Sequence, residues 1–197
     1  MARAAPYDRE TALDAAMALF WDKGFHAASL KDLEAALTMK PGSIYAAFTS
    51  KENLYLLALE RYFEMSRAGF RNQIAQASSP LAAMADHFRK YARLTENDSS
   101  RRACMLTKTM VDTRTTDPDI ADKTRNYLSA MQAEFASVFA AAQAAGEISD
   151  AADVQRLARR FQSNVTALRL AVHQGMDVQN FIQLTEDMAA EVEALRV

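Results

Sequence analysis

From Asp8 onward the apolar positions Leu13, Ala16, Met17 and Phe20 recur at intervals of three and four, the stripe of an amphipathic helix. Asp8 can cap its start. Lys23 in a last turn, Gly24 at the C′ position and Phe25 placed to fold back on Phe20 predict an end near Lys23. After residues 25–28, Ser29 and Asp32 stand at capping-box spacing and open a short second helix with the apolar set Leu30, Leu33 and Leu37. The pattern breaks at Thr38 and Met39 and restarts at Pro41, a residue suited to a first helical turn because its missing donor is not needed there. Ile44 and Phe48 share one face of a third helix of about two turns. Thr49 and Glu52 repeat the capping-box spacing, and the fourth helix is expected to run from there to about Ala77, with Leu54, Leu57 and Ala58 packed and Arg61 and Arg67 solvated.

Three short helices, two of them joined by a turn of three or four residues, are the layout of a helix-turn-helix domain whose third helix reads DNA. Downstream, long helices alternate with brief punctuation. Ser79 and Pro80 start a helix expected to reach about Glu96, and residues 97–100 read as loop. Residues 101–112 form an apolar, thiol-bearing segment. Asp117 and Pro118 start a long helix that Gly146 ends, residues 150–153 open the next, Gly175 closes it and Asp177 begins the last. The fold class is therefore all-α: a helix-turn-helix domain followed by a helical bundle. Stripes on the last two helices (Val154, Leu157, Phe161, Val165, Leu168, Val172, and Phe181, Leu184, Met188, Val192, Leu195) look too wide for one core. They predict an intersubunit four-helix bundle in a homodimer, with Phe161, Val165, Leu168, Val172, Phe181, Leu184, Met188 and Val192 as interface candidates. The other reading is that both stripes only close the protomer's own core.

Composition narrows this further. Five glycines and four prolines in 197 residues are too few for a turn-rich β-sandwich or a Gly-rich nucleotide fold, and 50% hydrophobic content suits a chain with a real core. Twenty-three Lys and Arg against 25 Asp and Glu leave a net charge of −2, so a nucleic-acid role has to come from local placement of charge. One cysteine cannot form an intramolecular disulfide, and His26, His87 and His173 lie in separate segments, so neither a stapled fold nor a metal site is expected. The beginning of the chain has no apolar signal-like stretch and no segment approaches about 18 uncharged apolar residues, so a cytoplasmic protein without a membrane partner is expected. No metalloprotease, P-loop or nucleophile-elbow motif occurs, and neither an enzyme activity nor a cofactor is expected.

The chemistry of the third helix is recognition. Lys40, Pro41, Gly42, Ser43 and Tyr45 lie at and just inside its start, where free amides and the positive helix end can face phosphate or base edges. Tyr45 and Ser43 offer hydroxyls, Lys40 offers charge and Gly42 allows close backbone approach. Lys51 in the next helix is a phosphate-clamp candidate, and Lys31 could reach backbone or base.

The ordered set Gly24-Phe25, Ser29-Leu30, Asp32-Leu33, Ala36-Leu37, residues 39–45 (Met-Lys-Pro-Gly-Ser-Ile-Tyr), Phe48 and Ser50-Lys51-Glu52 resembles the DNA-binding domain of TetR-type transcriptional regulators. The match spans roughly the first quarter of the chain; the remainder agrees in architecture. The resemblance implies a DNA-binding domain over residues 1–52 and an all-α ligand-binding and dimerisation domain over residues 53–197. It further implies that Tyr45 and Lys51 grip phosphates, that Lys40, Pro41, Gly42 and Ser43 lie along the major groove, and that Lys31 contacts a base; Ser29 completes the DNA-binding set. Two residues depart from the family pattern. Thr38 stands where the turn commonly has Gly, and would be strained at positive φ, while Thr49 replaces a Gly before Ser-Lys and is expected to be accommodated by its capping box with Glu52. To Lys51 the chain carries six basic and six acidic residues, so non-specific DNA affinity is expected to be weak.

Cys104, in the stretch Arg101-Arg102-Ala103-Cys104-Met105-Leu106, resembles a Gly-Cys-Leu segment of some of these regulators that sense electrophiles, oxidants or copper. Flanking arginines could lower a thiol pKa, but a cysteine among Met105, Leu106 and Met110 is read first as a small buried hydrophobe. Met84, Phe88, Tyr91, Met110, Tyr127, Met131 and Phe161 supply thioether and aromatic surface that is either core or the wall of an apolar pocket. His87, Thr107 and Asn164 would be its orienting polar groups, with Cys104 at its edge. The expected function is a ligand-responsive repressor that binds a palindromic double-stranded DNA operator as a homodimer and lets go when an unidentified small-molecule inducer binds. The competing readings are a helical scaffolding module and a small all-α enzyme.

Overall fold

A computed structural model describes residues 7–94 and 103–197. Among the described residues there are nine helices and no strand: α1 Arg9–Ala27, α2 Leu30–Leu37, α3 Pro41–Phe48, α4 Lys51–Gln76, α5 Pro80–Ala92, α6 Met105–Thr113, α7 Pro118–Ala144, α8 Val154–His173 and α9 Val178–Glu193. The chain forms two compact units, one of residues up to Ser66 with Met105–Tyr127, the other of Arg67–Cys104 with Leu128–Val197. The α6 helix and the start of α7 thus pack with the helix-turn-helix segment, an association that hydrophobic periodicity alone does not reveal.

Local signals placed most helix ends. Asp8 accepts from the Glu10 amide at the head of α1, and Ser29 and Asp32 form the full capping box on α2. Ser79, Asp153 and Asp177 cap α5, α8 and α9, each accepting from amides of the following first turn. Gly24 interrupts α1 with φ of 80°, and residues 25–27 continue as a further turn. Phe25 does not lie directly on Phe20; both rings flank Tyr55, at 5.0 and 4.8 Å between centroids. The α5 helix ends at Ala92, short of the expected Glu96, and the loop read at residues 97–100 lies outside the described residues, as do Arg101 and Arg102.

The start of α4 differs from expectation. Its cap is Ser50, whose Oγ accepts from the Asn53 amide at 3.0 Å, while the Asn53 side chain donates to the Phe48 carbonyl. Thr49 lies outside the helix with φ of 68°, so it forms no capping box with Glu52. Arg61 keeps access to solvent but is paired: its guanidinium holds the carboxylates of Asp14 and Glu10 on α1, and these bonds raise its already high pKa.

In the first unit the core is aromatic. Phe20, Trp21, Leu33, Ile44, Phe48, Tyr55, Leu59 and Tyr62 are buried, and Trp21 meets Tyr62 edge to face at 4.9 Å. In the second, α5 packs along α9, and Arg89 reaches across to Glu186 and Glu193. Phe88, Phe135, Phe139 and Phe161 form its centre. Of the interface candidates, Leu168 is wholly buried and Phe161, Val172, Phe181 and Val192 nearly so within the protomer's own core. Val165, Leu184 and Met188 are half-buried against the same core. The apolar side chains that do reach solvent on this stretch are Leu170, Met176, Val178 and Ile182.

Candidate nucleic-acid interface

The α3 helix is built to show one face and bury the other. Ile44 and Phe48, four residues apart, are each 1% exposed, whereas Tyr45 is 45% exposed and Lys40, Gly42 and Ser43 are exposed with it. Pro41 occupies the first turn, Lys40 makes no side-chain cap, and a Cβ on Gly42 would meet nothing within 4 Å. An uncapped helix start beside an open glycine is accessible to an anion, since its first amides and the helix dipole point outward. On α2, by contrast, Ser29 is committed: its hydroxyl donates to Asp32 at 2.7 Å and accepts from the Asp32 amide at 3.1 Å, while Lys23 holds the same carboxylate well below the usual carboxylate range. Lys31 is exposed on α2. Lys51, in the first turn of α4, has its amine over the Phe25 ring at 4.8 Å; loss of water there lowers its pKa, opposed by the charge of Asp117. Arg9 lies over the Phe48 ring at 5.1 Å, backing α3 from α1.

The α3 turn carries both departures noted above. Thr38 has φ 54° and ψ 38°, the left-handed conformation, and its amide bonds to Glu34. Thr49 has φ 68° and ψ −52°, and the Ser50 amide bonds back to the Phe48 carbonyl at 2.7 Å, a γ-turn centred on a β-branched residue.

Sequence reasoning missed what α6 does to this unit. Lys108 donates to the carbonyls of Trp21 and Asp22, the open carbonyl end of α1 where Gly24 breaks it. Tyr55 and Thr109 share a buried hydrogen bond of 2.7 Å, and burial pushes the Tyr55 phenol up to about 12. His26 meets Thr116 at 3.0 Å and Asp117 at 2.9 Å. The one signal in the sequence was the polar pair Thr109 and Thr113 inside an otherwise apolar stripe. Both hydroxyls donate to carbonyls four residues back, at Met105 and Thr109.

The pocket candidates separate. Met84, Phe88 and Tyr91 are buried in the second unit around His87, whose ring contacts Phe70, Tyr91 and Phe161 at 5.3 to 5.7 Å. Gln73 donates through Nε2 to the Ala83 carbonyl, so its Oε1 accepts from His87 Nδ1 at 3.0 Å and leaves Nε2 as the unprotonated nitrogen. Burial holds this imidazole neutral, its pKa down to about 3. Met131 packs against the same core, and Asn164 borders a void of about 30 Å³ with Phe88, Phe139 and Phe161, room for one water. Cys104 is half-buried in that unit, ahead of α6. Thr107, Met110 and Tyr127 belong to the first unit, where Tyr127 stacks on Phe63 at 4.6 Å with its hydroxyl buried and without a hydrogen-bond partner.

A helical chain whose second turn-linked helix is exposed, uncapped and backed by a packed scaffold is a helix-turn-helix DNA-binding protein. Residues 12–58 match the family of bacterial regulatory proteins described as tetR, and residues 77–183, more than half the chain, match the tetracyclin repressor-like C-terminal domain. ComR, an HTH-type transcriptional repressor of Escherichia coli (strain K12), is 28% identical over 179 residues, 90% of this chain and 85% of its own. A TetR family regulator from Cytophaga hutchinsonii superposes with a TM-score of 0.86 at 18% identity, covering 96% of this chain and 94% of that one. A cysteine mutant of the TetR family regulator CifR, complexed with a 26-bp double-strand operator DNA, superposes at 0.85 with 23% identity, covering 96% and 98%. The chain belongs to the tetR family and is a DNA-binding transcriptional regulator.

Proposed function

We propose that this regulator is a repressor that grips a palindromic operator as a homodimer and releases it when a small apolar inducer enters the helical unit built around His87. The observation that carries the reading is α3: Lys40, Gly42, Ser43 and Tyr45 face outward from a helix anchored by buried Ile44 and Phe48. Residues 1–52 read DNA and residues 53–197 sense and pair. Lys51 and Tyr45 hold phosphates, while Lys40, Ser43 and Lys31 meet base edges. The repressor ComR supports the sign of regulation, and the operator complex of CifR supports the mode of binding. No helix of the described residues is long and apolar enough to cross a membrane.

Release follows from the tie between α6 and α1. A ligand that favours a displaced α6 withdraws Lys108 and Thr109 from α1 and α4, and DNA affinity falls by the ligand's differential affinity for the two arrangements. Selection of bound sites from random duplex DNA tests the whole reading, with inverted half-sites about one helical turn apart expected. On the selected site, Lys51→Ala is expected to weaken binding to all sequences and lower the salt slope by about one, while Ser43→Ala relaxes preference at particular bases. An unchanged slope for Lys51→Ala removes it from the phosphate contacts.

A further inference from the structure

We infer that Arg9, in the first turn of α1, is a positioning residue for base reading: its guanidinium finishes the carbonyl end of α3 and fixes the angle at which that helix meets DNA. The inference rests on the reading above, in which α3 meets base edges. The contacts are direct. The Arg9 guanidinium lies over the Phe48 ring, 5.1 Å from its centroid, and Nη1 donates to the Ala47 carbonyl at 3.4 Å. Tyr7 approaches the same ring at 6.2 Å between centroids. Neighbouring acids are engaged elsewhere: Asp14 accepts from Arg61 at 2.8 Å, Glu10 joins it there, and Asp8 accepts from the Thr11 hydroxyl and the Glu10 amide. The head of α1 thus ties down both helices that flank the Thr49 turn, α3 through Arg9 and α4 through Arg61.

An eight-residue helix has little stability of its own, so its orientation depends on what holds it from outside. At the start of α3, Lys40 makes no side-chain cap. At the other end the last four carbonyls lack partners inside the helix. That of Tyr45 takes the Thr49 amide at 2.8 Å, that of Phe48 takes the Ser50 amide and the Asn53 side chain, and that of Ala47 takes Arg9. Two turns of helix span about 12 Å, so a tilt of about 10° displaces one end against the other by about 2 Å, more than the spread of a hydrogen-bond length. Contacts to base edges are lost at that displacement, whereas the attraction of exposed lysines for phosphates survives it. Arginine suits the task because its planar group stacks on the ring and donates to the carbonyl at once, which a lysine ammonium does not do.

The test compares the affinity of the full chain for its selected duplex with that for a scrambled duplex of the same length, by fluorescence anisotropy over a range of salt. Arg9→Lys keeps the charge and loses the planar donor, and is expected to cut the preference for the selected duplex by at least about fivefold. Arg9→Gln is expected to lose the same preference at an unchanged salt slope. Unfolded chain lowers both affinities by one factor, so the ratio does not register a loss of stability. Preference retained in Arg9→Lys, or a salt slope lower by about one in Arg9→Gln, overturns the inference alone, the second outcome making Arg9 a phosphate grip. An unaltered chain that shows no preference for any selected duplex overturns the reading of α3, and this inference with it.

Discussion

Two threonines show how much a side chain can cost where the backbone wants glycine. Thr38 lies in the left-handed helical region, where a side chain is tolerated at modest expense, and it closes α2 there. Thr49 is in a worse place: φ 68° with ψ −52° is a γ-turn of the strained kind, and its Cβ is branched. Such a conformation costs about 1–3 kcal/mol, whereas glycine adds up to about 1 kcal/mol of unfolded-state entropy. Thr49→Gly is therefore expected to raise stability by about 1 kcal/mol, seen as a higher urea midpoint at unchanged slope; a lower midpoint would mean the Thr49 side chain contributes a contact that outweighs the strain. The sequence reading placed Thr49 in a capping box because Thr-x-x-Glu spacing is a local pattern. The chain instead makes a γ-turn at Thr49, with the Ser50 amide bonded to the Phe48 carbonyl, and the cap falls to Ser50 one residue later. Caps whose chain direction is unconstrained, at Asp8, Ser29, Ser79, Asp153 and Asp177, were legible without coordinates.

Helices that announce themselves by periodicity do not announce their neighbours. The three short helices and the outward face of α3 were readable because buried Ile44 and Phe48 alternate with polar positions on one short element. The membership of α6 in the same unit was not, because it depends on pairings across more than fifty residues, Tyr55 with Thr109 and Trp21 with Lys108. The Tyr55 to Thr109 bond gives this packing a measurable asymmetry. Thr109 Oγ1 also donates to the Met105 carbonyl, so Tyr55→Phe leaves it satisfied and is expected to cost about 1 kcal/mol. Thr109→Val instead strands the hydroxyl of a tyrosine that is 1% exposed, and is expected to cost about 1–3 kcal/mol. Urea unfolding of the two variants checks the order; the reverse would place the Tyr55 hydroxyl within reach of a second acceptor.

Assembly and acid sensitivity both follow from what the second unit buries. His87 is neutral in the fold chiefly because of burial, helped by the positive charges of Lys90 and Arg169, and its pKa of about 3 lies below the ordinary 6.5. The unfolded chain takes up a proton below about pH 6.5 that the folded chain refuses, so this contribution is complete above that pH and is lost as pH falls toward 3, by up to about 1.4 kcal/mol per unit. Urea midpoints at pH 7, 5.5 and 4.5 are expected to fall in the unaltered chain and to fall less steeply in His87→Gln; parallel falls would assign the acid sensitivity to other groups. Pairing of two copies depends on the opposite property, apolar surface left uncovered. No stripe residue of α8 or α9 is exposed, and Leu168 spends itself inside; the exposed apolar side chains lie beside the stripes, Leu170, Met176, Val178 and Ile182 at 47%, 37%, 59% and 41%. A surface of that kind is the expected dimer seam, and the two classes of residue then separate by experiment. Leu168→Ala is expected to lower stability by about 2–5 kcal/mol without changing the sedimentation coefficient of the folded protein. Ile182→Glu is expected to leave the protomer folded but shift it to the monomer in sedimentation velocity, and to lower operator affinity by at least about tenfold, because a lone protomer engages only one half-site. A dimer that persists in Ile182→Glu would move the seam off this face.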